Sequence, residues 1–333
     1  MSSPEDPFVA WREGWHPDTR LYGLDIAGRP VVVRVSAHRS RGIGVIDARD
    51  GSEIAAFGVE DWHLKGGFVA SHVYRPDGGR PVLVTAHDNQ VVRQWDLASG
   101  ERAHQDFRPR TRRWRSTAAP MNSVASYREG GRTVLAIGDS DGLVRRYDAA
   151  SGCEVGRPLR HPAGIASLAV YEIGGDPHLA CGDRQNRVWL WDVRSGRLVR
   201  RVGEPRQAWI RHIVPYEVEG RVRLAVGSNS RTLQRLDAAG GESLGTVLCH
   251  EGGVVGVCVA RRGADSVLVV SSEHLHRYDA ASGERLGEPV RWWEGDGTLA
   301  VCTLEVQGRT ALFVAGIHGI WRFDAFSGAP WPA

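Results

Sequence analysis

The chain of 333 residues has few cysteines, almost no lysine and no long apolar segment. Its five cysteines form an odd set without a Cys-x-x-Cys pair, so we expect no disulfide framework and a reducing, cytoplasmic location. No apolar run approaches the roughly 18 residues that a membrane-spanning helix needs. The first residues, Met-Ser-Ser-Pro-Glu-Asp-Pro, have neither the basic nor the apolar region of a signal peptide, so we expect neither export nor membrane association.

Motifs for nucleotide and zinc chemistry are also missing. The sequence contains no phosphate-binding Gly-x-x-x-x-Gly-Lys-Ser/Thr loop and no His-Glu-x-x-His helix motif. The chain is therefore not a P-loop ATPase by itself, and we expect no catalytic residue, no cofactor and no metal.

The charge is nearly balanced, with 42 basic and 39 acidic residues and a net charge of +3. This excess is too small to indicate nucleic acid as a partner. Lys65 is the only lysine, so almost every cation is an arginine. Arginine binds carboxylates through two parallel hydrogen bonds and stacks on aromatic rings, which favours an acidic protein surface as the partner.

One pattern runs through the whole chain: an Asp followed four residues later by a Gly. It occurs seven times, at intervals of 42 to 52 residues. A period of about 40–45 residues is typical of the blades of a propeller. The seven turn residues are Asp47, Asp96, Asp148, Asp192, Asp237, Asp279 and Asp324.

Each repeat has the same internal order, as the third copy shows. An apolar run over residues 133–138 is followed by a polar turn, by an alternating run over 143–148 and by the Asp-to-Gly turn. Four short strands per repeat, labelled a to d, predict an all-β fold, a seven-bladed β-propeller of four-stranded antiparallel blades that spans residues 1–333 as one domain. The Asp accepts hydrogen bonds from backbone amides ahead of it and the Gly tolerates positive φ, which predicts a tight turn between strands c and d.

The chain resembles the WD-repeat propellers over nearly its whole length. Two repeats carry the dipeptide that names the family, Trp95-Asp96 and Trp191-Asp192. His161 and His250 stand where the family has a histidine ahead of strand a, and Asp141 matches its Asp in the turn before strand c. Neighbouring repeats have other polar residues at that position, namely Asn89, Gln185 and Ser230. Segments such as residues 147–159 resemble the WD-repeat arrays of high-GC bacterial signalling proteins. The family resemblance implies a scaffold that binds other proteins.

Closure of the ring requires an outer strand for the seventh blade. Only residues 329–333 follow the last Gly, and two of these five are prolines, which cannot donate to a strand ladder. The segment around Phe8 precedes the first repeat and has no other place in the pattern. We predict that residues 7–12 form the outer strand of blade seven.

The longest interval between repeats, from Asp96 to Asp148, holds an arginine-rich segment with one tryptophan. Insertions in repeat proteins map to loops on one face, often the binding face. The d-to-a connections, where the tryptophans concentrate, emerge on the same face as the b-to-c turns, and Trp and Arg dominate binding hot spots. A solvated loop and tryptophans that fill gaps between blades would explain the same residues. The predicted partner-binding residues are Arg108, Arg110, Arg112, Arg113, Trp114, Arg115, Trp209, Trp292 and Trp293.

Five polar residues stand nine positions before a turn Asp, at the predicted end of strand b. They are His38, His87, Asp139, Asp183 and Ser228. In a ring these side chains would line one mouth of the central channel, where His and Asp could bind a metal or carry out acid–base chemistry. Formation of a polar turn after strand b explains the same residues without a site.

The sequence thus favours a non-catalytic scaffold, monomeric by itself, that binds an acidic protein or peptide on the face of the d-to-a and b-to-c loops. One alternative is a propeller enzyme, a lyase or hydrolase, with a His/Asp site at the channel mouth, which a bound metal would favour. The other is a polyanion or nucleic-acid binder in which Trp114 stacks on a base, which a steep salt dependence would favour.

Overall fold

A computed structural model of the chain describes residues 8–10, 19–36, 42–58, 68–87, 89–109, 119–204, 206–291 and 298–331. These residues form seven antiparallel sheets, five of four strands and two of three, which confirms the predicted all-β seven-bladed propeller. No helix in the described part of the chain is long and apolar enough to cross a membrane.

The strands of the first four blades follow one another along the chain. Blade one contains β2 (Arg20–Ile26), β3 (Arg29–Val35), β4 (Ile43–Asp47) and β5 (Glu53–Phe57), and blade two contains β6 (Phe68–Tyr74), β7 (Val82–His87) and β8 (Val92–Asp96). Blade three contains β9 (Met121–Glu129), β10 (Arg132–Asp139), β11 (Leu143–Asp148) and β12 (Leu159–Arg160), and blade four contains β13 (Ile165–Ile173), β14 (Asp176–Asp183), β15 (Val188–Asp192) and β16 (Arg197–Val202).

The last three blades include the strand that closes the ring. Blade five contains β17 (Ile210–Val218), β18 (Arg221–Ser228), β19 (Thr232–Asp237) and β20 (Leu248–Cys249), and blade six contains β21 (Gly256–Arg262), β22 (Asp265–Ser271) and β23 (Leu275–Asp279). Blade seven contains β24 (Ala300–Val306), β25 (Arg309–Ala315), β26 (Gly319–Asp324) and β1 (Val9–Ala10). In blades two and six, isolated bridges such as Val92 to Phe107 take the place of the outer strand.

Strand b of each blade is apolar on both faces because a neighbouring blade covers each one. In β3, Val31 and Val33 pack in a cluster with Leu83 of blade two, whereas Val32 packs in a cluster with Phe313 of blade seven. All three valines are almost fully buried. A continuous short apolar run is the pattern expected of a strand that is buried on both sides.

Tight turns join strands a and b. In five of these hairpins the two turn residues both have positive φ, as in Ala27 (φ 54°) with Gly28 (φ 81°) and Glu219 (φ 51°) with Gly220 (φ 72°). Two successive residues of positive φ define the type I′ turn, whose twist matches that of the strands it connects.

Six of the seven Asp-to-Gly turns share a hydrogen bond from the Gly amide to the Asp carbonyl. In blade three, Asp148 Oδ1 accepts a hydrogen bond from the Ser151 amide at 2.8 Å, and the Gly152 amide donates to the Asp148 carbonyl at 2.9 Å. Gly152 has a φ of 68°, and the seven glycines of the pattern all have positive φ. A Cβ at Gly152 would also lie 2.7 Å from Cβ of Phe107 in blade two, so glycine lets the turn approach the preceding blade.

Both ends of the chain contribute to the outer edge of blade seven. Val9 pairs with Ile320 and Ala10 with Gly319 in an antiparallel ladder, which confirms that the amino-terminal segment supplies the outer strand. The remaining residues of the predicted 7–12 segment, apart from Phe8, lie outside the described residues. The carboxyl-terminal segment adds one bridge, from Pro330 to Phe323.

A repeated side-chain contact joins neighbouring blades near these turns. The residue two positions before the turn Asp donates hydrogen bonds to backbone carbonyls in the Asp-to-Gly turn of the next blade. The donor–acceptor pairs are Gln94 to Ala149, Arg146 to Val193, Arg235 to Ala281 and Ser282, Arg277 to Phe326, and Arg322 to Ala48 and Arg49. The last pair links blade seven to blade one and so contributes to closure.

Candidate functional site

The d-to-a connections and the b-to-c turns are hydrogen-bonded to each other on one face of the ring. The Trp209 amide, just ahead of blade five, donates to Asn229 Oδ1 at 2.7 Å, and the Asn229 amide donates to the Trp209 carbonyl at 3.2 Å. In blade four the Arg184 amide donates to the Gly164 carbonyl at 2.9 Å. These bonds hold the two kinds of loop together as one surface, which we call the loop face.

Trp209 is the aromatic side chain that the loop face presents to solvent. It is 37% exposed, although hydrogen bonds to Asn229 hold both its backbone amide and its backbone carbonyl in place. The guanidinium carbon of Arg184 lies 4.5 Å from a Trp209 ring centroid, and that of Arg211 lies 6.0 Å away. These are distances at which a cation is attracted to the face of an aromatic ring.

Neither of these arginines has an acidic partner among the residues that the structure describes. Within the described residues, no ion pair joins Arg184 or Arg211 to a carboxylate. The Nε atom of Arg184 is buried and has no hydrogen-bond partner there. The cluster of Trp209, Arg184 and Arg211, which we call the Trp209 cluster, therefore presents positive charge and an aromatic ring together.

The other predicted partner-binding residues are described only in part. Arg108 is exposed and follows Phe107, whose backbone bridges to Val92 at the edge of blade two. The remaining members lie outside the described residues, namely Arg110, Arg112, Arg113, Trp114, Arg115, Trp292 and Trp293.

The predicted channel-mouth carboxylates lie inside the b-to-c turns. Asp139 Oδ2 accepts a hydrogen bond from Arg145 Nη1 at 2.6 Å, and its Oδ1 accepts from two turn amides. Asp183 Oδ2 accepts from Arg187 Nε at 2.8 Å and from Trp189 Nε1 at 3.0 Å. Both carboxylates are buried, so their hydrogen-bonding capacity is used within the turn.

His87 has a similar position in blade two, and His38 lies outside the described residues. His87 is buried, with Nε2 3.0 Å from Thr85 Oγ1. Neither His87 nor either carboxylate is among the residues that line the described channel. The physical reason is strand order: strand a is innermost in each blade, so residues at the end of strand b stand one strand away from the axis. His87, Asp139 and Asp183 therefore lie outside the lining of the described cavity.

The channel itself is a cavity of about 280 Å³ between the inner strands. Each of the seven blades contributes the beginning of its strand a. The wall consists of residues 20–22, 69–72, 122–124, 166–168, 211–214, 255–257 and 299–301.

Several polar side chains of the inner strands bind the adjacent blade. The pairs are Tyr22 Oη with Ser71 Oγ (2.8 Å), His72 Nε2 with Ser126 Oγ (2.9 Å), Asn122 Nδ2 with the Ile165 carbonyl (2.9 Å), Ser167 Oγ with the Ile210 carbonyl (2.8 Å) and Thr303 Oγ1 with the Val259 carbonyl (2.7 Å). These bonds stabilise the ring near its axis. Sequence reasoning missed them, although polar residues near the start of otherwise apolar a strands were a usable signal.

Two histidines of the wall are neutral at physiological pH. Burial lowers the pKa of His72 to about 4. Burial also lowers the pKa of His212 to about 3, and the nearby charges of Arg20 and Arg211 add to that shift. The positive charge of the channel wall therefore comes from Arg20 and Arg211.

The histidines ahead of strand a pack against strand c. His161 Nε2 accepts a hydrogen bond from Trp191 Nε1 at 3.0 Å in blade four. In blade six the rings of His250 and His276 are 4.8 Å apart, and burial lowers the pKa of both. Throughout the described ranges, no group of three or more His, Cys, Asp or Glu side chains is arranged to hold a metal ion.

Two Gly-x-Ser-x-Gly strings occur, around Ser140 and Ser243. In hydrolases such a string follows a strand and opens a helix. Here Ser140 lies in the turn between β10 and β11, where its Oγ accepts a hydrogen bond from Asn122, and Ser243 lies in the segment between β19 and β20. The context of a nucleophilic serine is therefore missing at both.

Comparison with known proteins identifies the fold and no family. No known family matches the sequence, and no curated protein matches it either. The structure is similar to 1627 chains of solved structures, a breadth that by itself precludes assigning one activity. One of these is the crystal structure of the computationally designed Ika8 protein, with a TM-score of 0.60, 14% identity, and coverage of 93% of this chain and 80% of the designed one. At this identity the similarity shows a shared fold alone.

Proposed function

We propose that this chain is a non-catalytic scaffold that binds a protein or peptide on the loop face. The observation that carries the proposal is the Trp209 cluster, in which Arg184 and Arg211 lie near an exposed tryptophan and neither arginine is paired with a carboxylate of the described residues. Tryptophan and arginine are the residues most enriched in binding hot spots. An acidic partner surface would provide the missing counter-charges and would speed association.

We further propose that the scaffold is of the WD-repeat type and acts in the cytoplasm as a monomer. The bond from Trp191 to His161 supports this kinship, since it joins the histidine to strand c as the family pattern implies. The five cysteines are all free, which suits a reducing compartment.

The geometry of the b-to-c turns favours a non-catalytic scaffold over the enzyme alternative. A general acid or base must be able to exchange its proton with a substrate. Asp139 and Asp183 are instead buried, and each is paired with an arginine of its own blade. Their geometry supports a role in shaping the loop face.

The experiment starts with a pull-down that identifies a partner by mass spectrometry and continues with binding kinetics against that purified partner. Trp209→Ala should weaken binding by about 2 kcal/mol or more, roughly thirtyfold, mainly through faster dissociation. Arg184→Ala should slow association and reduce its salt dependence.

A matched control is Arg194→Ala, because Arg194 is also exposed but pairs with Asp176 near the a-to-b turn of blade four, away from the loop face. This control should bind like the unmodified chain. If Trp209→Ala and Arg184→Ala also bind like the unmodified chain, the loop face is not the binding surface.

A further inference from the structure

Two arginines enter the central channel from different blades. Arg20 begins β2 in blade one, and Arg211 is the second residue of β17 in blade five. Both line the same cavity as His212, and both act electrostatically on that histidine. They stand at the starts of strands a, which is the end of the channel that opens on the loop face.

Nothing acidic balances these two charges in the described structure. The residues that line the described channel include no Asp and no Glu, and no ion pair joins Arg20 or Arg211 to a carboxylate elsewhere in the described residues. The one protein hydrogen bond found for the Arg20 side chain is from Nη1 to the neighbouring Thr19 carbonyl at 3.2 Å. Most of the ten N–H donors on the two guanidinium groups are therefore available to a ligand.

We propose that this mouth of the channel binds a small, multiply charged oxyanion between Arg20 and Arg211. Two like charges in a narrow cavity repel each other, and an anion between them converts that repulsion into two attractions. Guanidinium groups match the oxygen geometry of phosphate, sulfate and carboxylate groups and bind them through paired hydrogen bonds.

The cavity determines the size of the ligand. At about 280 Å³ it lies just below the roughly 300–1,000 Å³ range of typical small-molecule pockets. It accommodates a group such as sulfate or pyrophosphate and excludes a folded protein element. The proposal therefore concerns a small ion and does not rest on the proposed protein partner.

The test is isothermal titration calorimetry of the full chain with sodium sulfate, at constant ionic strength maintained with sodium chloride. Saturable binding at one site is expected. Arg20→Gln and Arg211→Gln should each weaken it at least tenfold, roughly the effect of losing one charge-assisted hydrogen bond. Circular dichroism of each variant verifies the fold. Thermal shifts are a poor substitute because sulfate stabilises folded proteins generally.

Arg194→Gln, an exposed arginine distant from the channel, is the matched control and should bind sulfate like the unmodified chain. Arg184→Ala, which alters the Trp209 cluster but neither channel arginine, should also bind sulfate normally, so that failure of the partner-binding proposal and failure of this one are distinguishable. Parallel titrations with pyrophosphate and citrate separate phosphate from carboxylate ligands. Absence of saturable binding for all three anions, or equal weakening by Arg194→Gln, would overturn the proposal.

Discussion

Arg146 offers the sharpest test of how neighbouring blades are held together. Its Nη1 donates to the Val193 carbonyl of blade four at 2.5 Å, and its Nη2 donates to the Arg157 carbonyl at 3.1 Å. The residue is buried, with 6% of its surface exposed, and no ion pair joins it to a carboxylate in the described residues. Its contribution to stability should therefore come from the two carbonyls that it satisfies and not from charge pairing.

The other blades provide natural standards for this position. Blade two has Gln94, whose Nε2 donates to the Ala149 carbonyl at 2.6 Å while its Oε1 accepts from Tyr74 at 2.8 Å. Blade four has Leu190, which cannot donate. Tyr127 is the counterpart of Tyr74 in blade three, and its hydroxyl is buried without a well-formed hydrogen bond.

Arg146→Gln should therefore reproduce the blade two arrangement, with the new amide between Tyr127 and Val193. We expect a change within about 1 kcal/mol in the free energy of unfolding, because one donor is lost but a buried charge is also removed. Arg146→Leu should cost about 2–4 kcal/mol, because two carbonyls lose their donor at about 1–3 kcal/mol each and leucine burial offsets part of the loss.

Urea denaturation, followed by tryptophan fluorescence, measures both costs, and hydrogen exchange locates the damage. Exchange should accelerate mainly in blades three and four, because units of a repeat structure contact chiefly their neighbours. If the glutamine variant is as unstable as the leucine variant, the charge or size of the arginine side chain stabilises the contact. The explanation by hydrogen bonds to the two carbonyls is then refuted.

Three further predictions concern the ends of the chain, acid stability and the arginine-rich loop. Deleting residues 1–12 removes β1 and the contact of Phe8 with Phe313, so the melting temperature should fall or the protein should aggregate; an unchanged, monomeric variant would contradict closure by this strand. The guanidinium groups of Arg49 and Arg29 hold the pKa of Asp47 well below its usual range, so its stabilisation is present at neutral pH and is lost as pH falls below about 4, and urea melts of Asp47→Asn should show a smaller loss in acid. In the loop, Arg110→Ala with Arg112→Ala should slow partner association and flatten its salt dependence, whereas Trp114→Ala should speed dissociation, as measured by binding kinetics; normal kinetics in both variants would exclude the loop from the interface.

The blades were predictable because their strongest signals are local. The Asp148 carboxylate finds its amide partner three residues ahead, at Ser151, and Gly152 adopts its positive φ within the same turn. Such contacts depend on spacing alone, and spacing is visible in a sequence. The amino-terminal strand was predictable for a different reason, since closure left one outer position that a proline-rich carboxyl terminus could not fill well.

The site was less predictable because its contacts cross from one blade to the next. Arg146 reaches Val193, which is 47 residues further along the chain, and nothing in the local pattern of blade three indicates which carbonyl it meets. The only sequence signal for this contact was positional: a polar residue recurs two positions before the turn Asp in a strand that is otherwise mostly apolar.

The end of strand b posed the reverse problem. The positions of Asp139 and Asp183 along the strand were predicted, but their distance from the channel axis was not. Depth in a propeller depends on strand order, and strand a, which begins with Arg20 in blade one, takes the inner wall. The residues that line the channel of a propeller are therefore to be sought near the start of each strand a. Arg20 and Arg211 occupy such positions.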